Sequence, residues 1–334
     1  MLEDIKIDYV FPFVDPSDIS WQQELKKYKG DTNIEPQRFR DWGFLRYLFR
    51  GLSENLPWLN HIVLLVASET QIPRWLNTDN EKIMVVTHKE FIPERFLPTF
   101  NSNTIEMFLP FIPVLSEHII YGNDDLFPLL PCSPADYFTD GGVPKISYRV
   151  YKDHLKSFGK ACQNNWLLAA SRFGGNRLGK NVCHRQFHES QSITLTLMKE
   201  AYNSMEGEML SSITRFRNNL KNYSQYVYFD YVIAAGKCVK RDKLYTYYEM
   251  SSKNLNKILS TISGDESKWV CLNDTRLTSE NAVIKSVEAF GKKYPHMCEY
   301  EKEDNTEVDV NDNSHHLDKK SGDIVSSKKN IRPY

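Results

Sequence analysis

The chain has 334 residues, with 42 Lys and Arg against 43 Asp and Glu, for a formal net charge of -1. That balance excludes a basic nucleic-acid-binding surface, so no nucleic-acid partner is expected. With 41% hydrophobic and 13% aromatic residues the chain can bury a sizeable core, which excludes a disordered or small disulfide-stapled protein. No run approaches the roughly 18 to 20 apolar residues that span a bilayer, and the start MLEDIKIDYV lacks a basic region ahead of an apolar block. A cytoplasmic protein is expected. Six cysteines (Cys132, Cys162, Cys183, Cys238, Cys271, Cys298) show no CxxC spacing and read as thiols rather than as a zinc site or a disulfide framework.

In chain order, the first apolar run is IDYVFPFV at 7–14. It predicts a strand ending at the acidic turn Asp15-Pro16-Ser17-Asp18, where nucleotide-binding α/β domains place their ligands. Pro12 removes a ladder donor and is best tolerated near a strand start or on an edge. Residues 41–56 predict an amphipathic helix with Phe44, Leu45, Leu48, Phe49 and Leu52 on one face and Arg46 and Arg50 away from it. HIVLLVA at 61–67 and KIMVVTH at 82–88 predict strands, and this helix-strand-strand order indicates an α/β layer architecture with parallel pairing. Residues 97–112 predict a capped helix interrupted near Pro110. SEHIIYGNDDLF at 116–127 predicts a strand running into Asn123-Asp124-Asp125, and RFGGNRLGKN reads as an exposed loop. Helices are expected over 190–205 and 222–237, a strand remaining open for the second, and a short apolar run at 268–274 ends in Asn273-Asp274. From about Glu301 onward the chain is polar and reads as disordered.

Four carboxylates, Asp15, Asp124, Asp125 and Asp274, each follow an apolar run. Strands of one parallel sheet end at one edge, so these groups are expected to converge. Oxygen ligands of this type suit Mg²⁺ or Mn²⁺ bridging the phosphates of a nucleotide-linked substrate. A lone Asn-Asp-Asp triplet can equally be a turn that satisfies its own backbone. Arg38, Arg40, Arg46, Arg215 and Arg217 offer planar forks for phosphate, one or two of them for a substrate and the rest for solvent. His184 and His188 lie four apart, before or at a helix start; they could be a metal pair on one helical face, or one of them an acid, a base or a phosphate ligand. There is no GxGxxG, GxxxxGK[ST] or GxSxG, so dinucleotide dehydrogenases, P-loop enzymes and nucleophile-elbow hydrolases lose their main support.

Several blocks occur in the order found in a known family: IDYVFPFVDPSD at 7–18, RFRDWGFLRYLFRGL at 38–52, PWLNHIVLLV at 57–66, QIPRWL at 71–76, LPTFNS at 97–102, IYGNDDLF at 120–127, CHRQFHES at 183–190, RFRNNLKNYSQY at 215–226 and WVCLNDTRL at 269–277. Together they resemble the Stealth family of sugar-phosphate transferases, which make bacterial capsule and cell-wall polysaccharides and are similar to the animal enzyme that puts N-acetylglucosamine-1-phosphate on lysosomal glycoproteins. The chain departs from the pattern at Phe11-Pro12-Phe13, where the family usually has Tyr-Thr-Trp, and at Gln186, Phe187 and Lys221 in the third region.

The resemblance implies a Rossmann-like, GT-A-like α/β fold with a mostly parallel sheet flanked by helices and a helical insertion. Residues 1–302 would form one catalytic domain, with 5–140 binding the nucleotide sugar, 141–302 completing the site and 303–334 as the tail. It implies transfer of a hexose-1-phosphate from a UDP-sugar donor to a hydroxyl of an acceptor glycan, with release of UMP and with Mg²⁺ or Mn²⁺ as cofactor. Carried over residue by residue, Asp125, His184 and Arg217 are the catalytic candidates, Asp125 and His184 being rivals for the base. Asp15, Arg38, Arg40 and Asn123 bind the donor, and Asp124, Asp125, Asn273 and Asp274 hold the metal. A lipid-linked acceptor would bring the enzyme to the inner face of the membrane by peripheral contact. A metal-dependent glycosyltransferase releasing UDP is the alternative reaction, and a carbohydrate-binding protein without catalysis is the third reading.

Overall fold

The computed structural model describes residues 2–30, 37, 39–152 and 157–303. Arg38 and the segment from 304 onward, the expected donor-binding residue and the expected disordered tail, lie outside the described residues. In chain order the strands are β1 (Ile7–Pro12), β2 (Ile62–Val66), β3 (Ile83–Thr87), β4 (His118–Tyr121), β5 (Leu126–Pro128), β6 (Lys145–Lys152), β7 (Val182–Gln186), β8 (Gln191–Thr194), β9 (Val239–Arg241), β10 (Tyr245–Glu249) and β11 (Trp269–Asn273). The helices are α1 (Ile19–Lys29), α2 (Leu45–Asn55), α3 (His88–Phe91), α4 (Ser102–Met107), α5 (Ser157–Ser171), α6 (Leu195–Ser212), α7 (Tyr226–Ala234), α8 (Leu255–Ser263) and α9 (Glu280–Lys293).

The central sheet has the order β3-β2-β1-β4-β8. β1 lies parallel to β2 and β4, and β2 parallel to β3, while β8 closes the edge antiparallel to β4. The run IVLLV of β2 is buried throughout, and its residues alternate between two cores: Ile62, Leu64 and Val66 enter one, Val63 and Leu65 the other. A strand buried on both faces needs such a continuous apolar run. Pro12 closes a central strand, not an edge. On the β4 side the ladder has already ended at Val10 opposite Tyr121, while Phe13 N–H still donates to Leu65 O at 2.9 Å, so the missing proline donor leaves no gap.

Four other expectations change. Residues 190–205 split into the edge strand β8 and then α6, whose first turn is capped by Thr194 Oγ1 accepting from Leu197 N at 3.2 Å. Residues 97–112 give only the short α4, with Asn101 accepting from Asn103 N at 3.1 Å, followed by a separate 3-10 turn at Leu109–Phe111. His184 and His188 do not share a helical face, because 182–186 is strand β7 and His188 stands in the turn after it. The strand expected ahead of Asn123-Asp124-Asp125 is β4; beyond the triplet the chain enters β5 in a second sheet ordered β10-β11-β5, so that Asn123-Asp124-Asp125 bridge the two sheets. Arg50 is buried in α2 instead of facing away, since it makes a two-pronged ion pair with Glu301 at 2.6 and 2.9 Å that ties the helix to the last described residues. A third sheet, β7-β6-β9, flanks the site.

Gly122 fixes the direction of the chain as it leaves β4. Its N–H donates to Val10 O at 2.9 Å, and a Cβ there would strike the Tyr9 hydroxyl. Tyr9 is fully buried and stacked on Trp269 with ring centroids 5.8 Å apart, so it has nowhere to go. Overpacking of this kind costs about 1–3 kcal/mol. Gly122→Ala is therefore expected to lower the unfolding free energy measured in urea by that amount, and an unchanged value would show that the Tyr9 ring can yield.

Candidate active site

A cleft of about 900 Å³ opens between the central sheet, the β10-β11-β5 sheet and the β6-β7 wall. Asn123, Asp124 and Asp125 enter it from the bridge between β4 and β5. The Asp125 carbonyl accepts from Leu272 N at 2.9 Å, which extends the β5-β11 pairing by one step and brings the Asp125 side chain against Cys271. From the far side, the turn after β7 brings in His188. That turn is pinned by Gln191, which accepts from Ser147 N at 3.1 Å and donates to Phe187 O at 3.2 Å.

Asp125 Oδ2 lies 3.2 Å from His188 Nε2 and accepts from Cys271 Sγ at 3.4 Å, while its Oδ1 is buried with no hydrogen-bond partner. Burial alone would lower the His188 pKa, but the charge and hydrogen bond of Asp125, with Glu106 behind, hold it above the ordinary histidine value. The ring therefore tends toward a cation with its Nε2 proton on the carboxylate. Its Nδ1 faces the Tyr226 hydroxyl at 3.5 Å. Asp124 keeps contact with solvent on the cleft floor, yet the surrounding walls and the negative charges of Asp125 and Asp41 push its carboxyl up to about 7. Cys271 is buried, and burial followed by the Asp125 charge raises its thiol well above the ordinary range, so it stands as a neutral donor.

A further carboxylate, Glu106, projects from α4. It is buried, and burial raises it to about 7 against the opposing pull of Arg217, the Gln225 N–H at 3.0 Å and the Tyr121 hydroxyl at 3.4 Å. Arg217 lies on the loop between α6 and α7, donates to Ser102 Oγ, and directs its charge at both Glu106 and His188.

Of the residues expected at the site, Arg40, Asn123, Asp124, Asp125, Arg217, Asn273 and Asp274 line this one cleft. Asp274 follows β11 in the second sheet, so its convergence with Asp125 comes from stacked sheets and not from one shared parallel edge. Asp15 is not among the lining residues: its carboxylate accepts from Ser17 N at 2.8 Å and Ser17 Oγ at 2.6 Å and closes a local turn. His184 also lies off the cleft lining, between the rings of Tyr148 and Trp166 at 4.9 and 4.5 Å, and burial lowers its pKa. Sequence reasoning missed Glu106. The available signal was an acidic residue set between Ile105 and Met107 at the head of the apolar run that continues to Ile112, a place where only a site or a buried partner accommodates charge.

The oxygens available to a hard cation are not evenly distributed. Asp274 is occupied by Arg40 Nε at 2.8 Å and Trp42 Nε1 at 2.8 Å, and the Asn273 amide donates to the Tyr247 hydroxyl at 2.7 Å. Asp124, the unpartnered Asp125 Oδ1 and the Asn273 Oδ1, which that donation does not use, remain. Asp125, His188 and Cys271 also place one ligand atom each within 4.8 Å of one another, a donor set a divalent metal could use.

The family model described as Stealth protein CR2, conserved region 2, matches residues 38–146, the stretch that carries Arg40 and Asn123-Asp124-Asp125. The chain is 27% identical over 328 residues to the exopolysaccharide phosphotransferase cps2G of Lactiplantibacillus plantarum, covering 89% of this chain and 96% of that one. It is 35% identical over 184 residues to the receptor polysaccharide phosphotransferase WefC of Streptococcus oralis, covering 53% of this chain and 55% of that one, about half of each. Among solved structures, the galactosyltransferase LgtC in complex with donor and acceptor sugar analogues superposes with a TM-score of 0.41 at 13% identity over 85% of this chain and 95% of that chain, a loose likeness on which nothing further rests. The matched region, the ordered sequence blocks and the relative matched along 96% of its length agree: the chain is a transferase similar to the Stealth family.

Proposed function

We propose that the chain transfers a hexose-1-phosphate from a UDP-sugar to a hydroxyl of an acceptor glycan in the synthesis of a capsular or other cell-surface polysaccharide, and releases UMP. The observation that carries the reading is the contact of Asp125 with His188 beside Asp124 and Arg217, all in one cleft. The matched relatives, named as phosphotransferases of exopolysaccharide and receptor polysaccharide, support it. In this reading residues 1–302 work as a single catalytic unit, because the cleft takes its lining from Phe13 through Thr275. Among the described residues no helix is long and apolar enough to cross a membrane, and a lipid-linked acceptor is met by peripheral contact at the cytoplasmic face.

The acceptor oxygen attacks the phosphorus that bears the sugar, and the bond from that phosphorus to the UMP oxygen breaks. The anomeric carbon–oxygen bond is kept. Oδ2 of Asp125 takes the hydroxyl proton, and His188 beside it holds the carboxylate in place and balances its charge. Arg217 offers its guanidinium to the phosphoryl oxygens on which charge gathers. Glu106 keeps Arg217 oriented on one side while Ser102 holds it on the other. Asp124 and Asp125 would hold Mg²⁺ or Mn²⁺, which supplies Lewis-acid neutralisation of the donor phosphates. Arg40, braced by Asp274, and Asn123 face the donor.

The test is the released nucleotide. Incubated with a panel of UDP-sugars, Mg²⁺ or Mn²⁺ and a polysaccharide-repeat acceptor, the protein should release UMP, with phosphorus retained in the glycan. Release of UDP would make it a conventional glycosyltransferase, and no nucleotide release with any donor would favour a carbohydrate-binding role.

A further inference from the structure

We propose that Arg149 and Arg185 form a separate anion subsite in the cleft that holds a phosphodiester already present in the acceptor glycan; this rests on the reaction proposed above. The two arginines stand directly opposite each other in the antiparallel pairing of β6 and β7. Directly opposed residues leave a sheet on the same face, and both line the cleft. Like charges in that position are destabilising unless an anion lies between them. Among the described residues no carboxylate pairs with either.

Aromatic rings hold them instead. Arg149 lies 5.5 Å from the ring centre of Phe187 and 5.7 Å from that of Tyr151, and Arg185 lies 4.8 Å from those of Tyr151 and Phe158. Stacking uses the flat face of a guanidinium and leaves its N–H edge to donate, so two forks set side by side over a shared tyrosine fit the oxygens of a phosphate group. Phe158 is 44% exposed and lines the cleft with Phe187, which offers apolar surface for the C–H faces of sugars on either side of that group. A bridging anion flanked by sugar faces is the chemistry of a sugar phosphodiester. A glycan extended by phosphosugar transfer carries one at each junction already made. The pair also stands on the β7-β6-β9 sheet, not on the turn after β4 that carries Asp124 and Asp125.

Titration calorimetry of the full chain without donor tests this, with oligo(glycerol phosphate) as the phosphodiester probe and a neutral dextran oligosaccharide as control. The probe should bind more tightly than the control, and R149Q/R185Q should weaken probe binding tenfold or more. Arg149→Gln alone, at an exposed position, should weaken it threefold or more and serves if the double variant does not fold. No binding of the probe to the wild-type chain, or an affinity that the variants leave unchanged, would overturn the proposal. So would variants that keep probe binding but lose the binding of UDP, titrated in parallel, which would move the pair to the donor. Because the readout is binding, a failure here is distinguishable from a failure of the proposed reaction, which is read from the released nucleotide.

Discussion

Replacing Asp125 with Asn is expected to lower the transfer rate at neutral pH by about 10²- to 10⁴-fold, the range that a positioned general base contributes. The substitution keeps the shape of the side chain but removes the charge that holds His188 above the ordinary histidine value. Two changes should therefore appear together: the rate falls, and the His188 resonance titrates at lower pH in an NMR series. His188→Gln should fall into the same range, because it strips Oδ2 of its partner at 3.2 Å. His184→Gln should stay within tenfold of wild type, since His184 packs between two rings off the cleft lining. A wild-type rate in Asp125→Asn together with abolished transfer in His184→Gln would reassign the base to His184.

Glu106→Gln is expected to stabilise the protein at pH 8 by about 3 kcal/mol, taking about 1.4 kcal/mol for each unit by which a carboxyl is shifted. The folded-state carboxyl titrates at about 7, against an ordinary value of 4.5, because burial dominates over its donors and Arg217. Between those two values the folded state binds more protons than the unfolded state, so stability falls as pH rises from about 4.5 to 7. Below 4.5 both states are protonated and the penalty vanishes. Urea unfolding of the two proteins should thus coincide near pH 4 and separate above pH 7, with the variant more stable. A gain independent of pH would mean that packing, not the buried charge, is responsible. In the proposed reaction the charge of Glu106 orients Arg217, so the stabilised variant should also transfer more slowly.

Much of the core could be read from local pattern. The runs at 7–14, 61–67 and 82–88 became β1, β2 and β3 within one or two residues, and 41–56 became α2, because a continuous apolar run and a 3.6-residue stripe are properties of neighbouring residues. β6 and β7 were not legible: KISYRVYK and VCHRQ mix arginine, tyrosine and lysine at exposed and half-buried positions and carry no clear period. β8 was hidden for another reason. Its four residues flow directly into α6, and only pairing with His118–Tyr121 makes them a strand.

The cleft divides along the same line. Asn123, Asp124, Asp125 and Asp274 stand where apolar runs stop, so the sequence alone determined that acidic turns would crown the strands. Contact between those turns and the rest of the chain was a tertiary matter. Asp125 meets a histidine 63 residues further on, and the ring it meets is that of His188, because the turn after β7 points one histidine at the carboxylate while the strand packs the other between Tyr148 and Trp166. Asp274 is committed to Arg40, 234 residues away, and Asp15 to its own turn, so two of the four carboxylates are spoken for. Local pattern determines where a polar group can sit, but which charge it faces depends on how separate sheets stack, and that is set by the packing of the whole core.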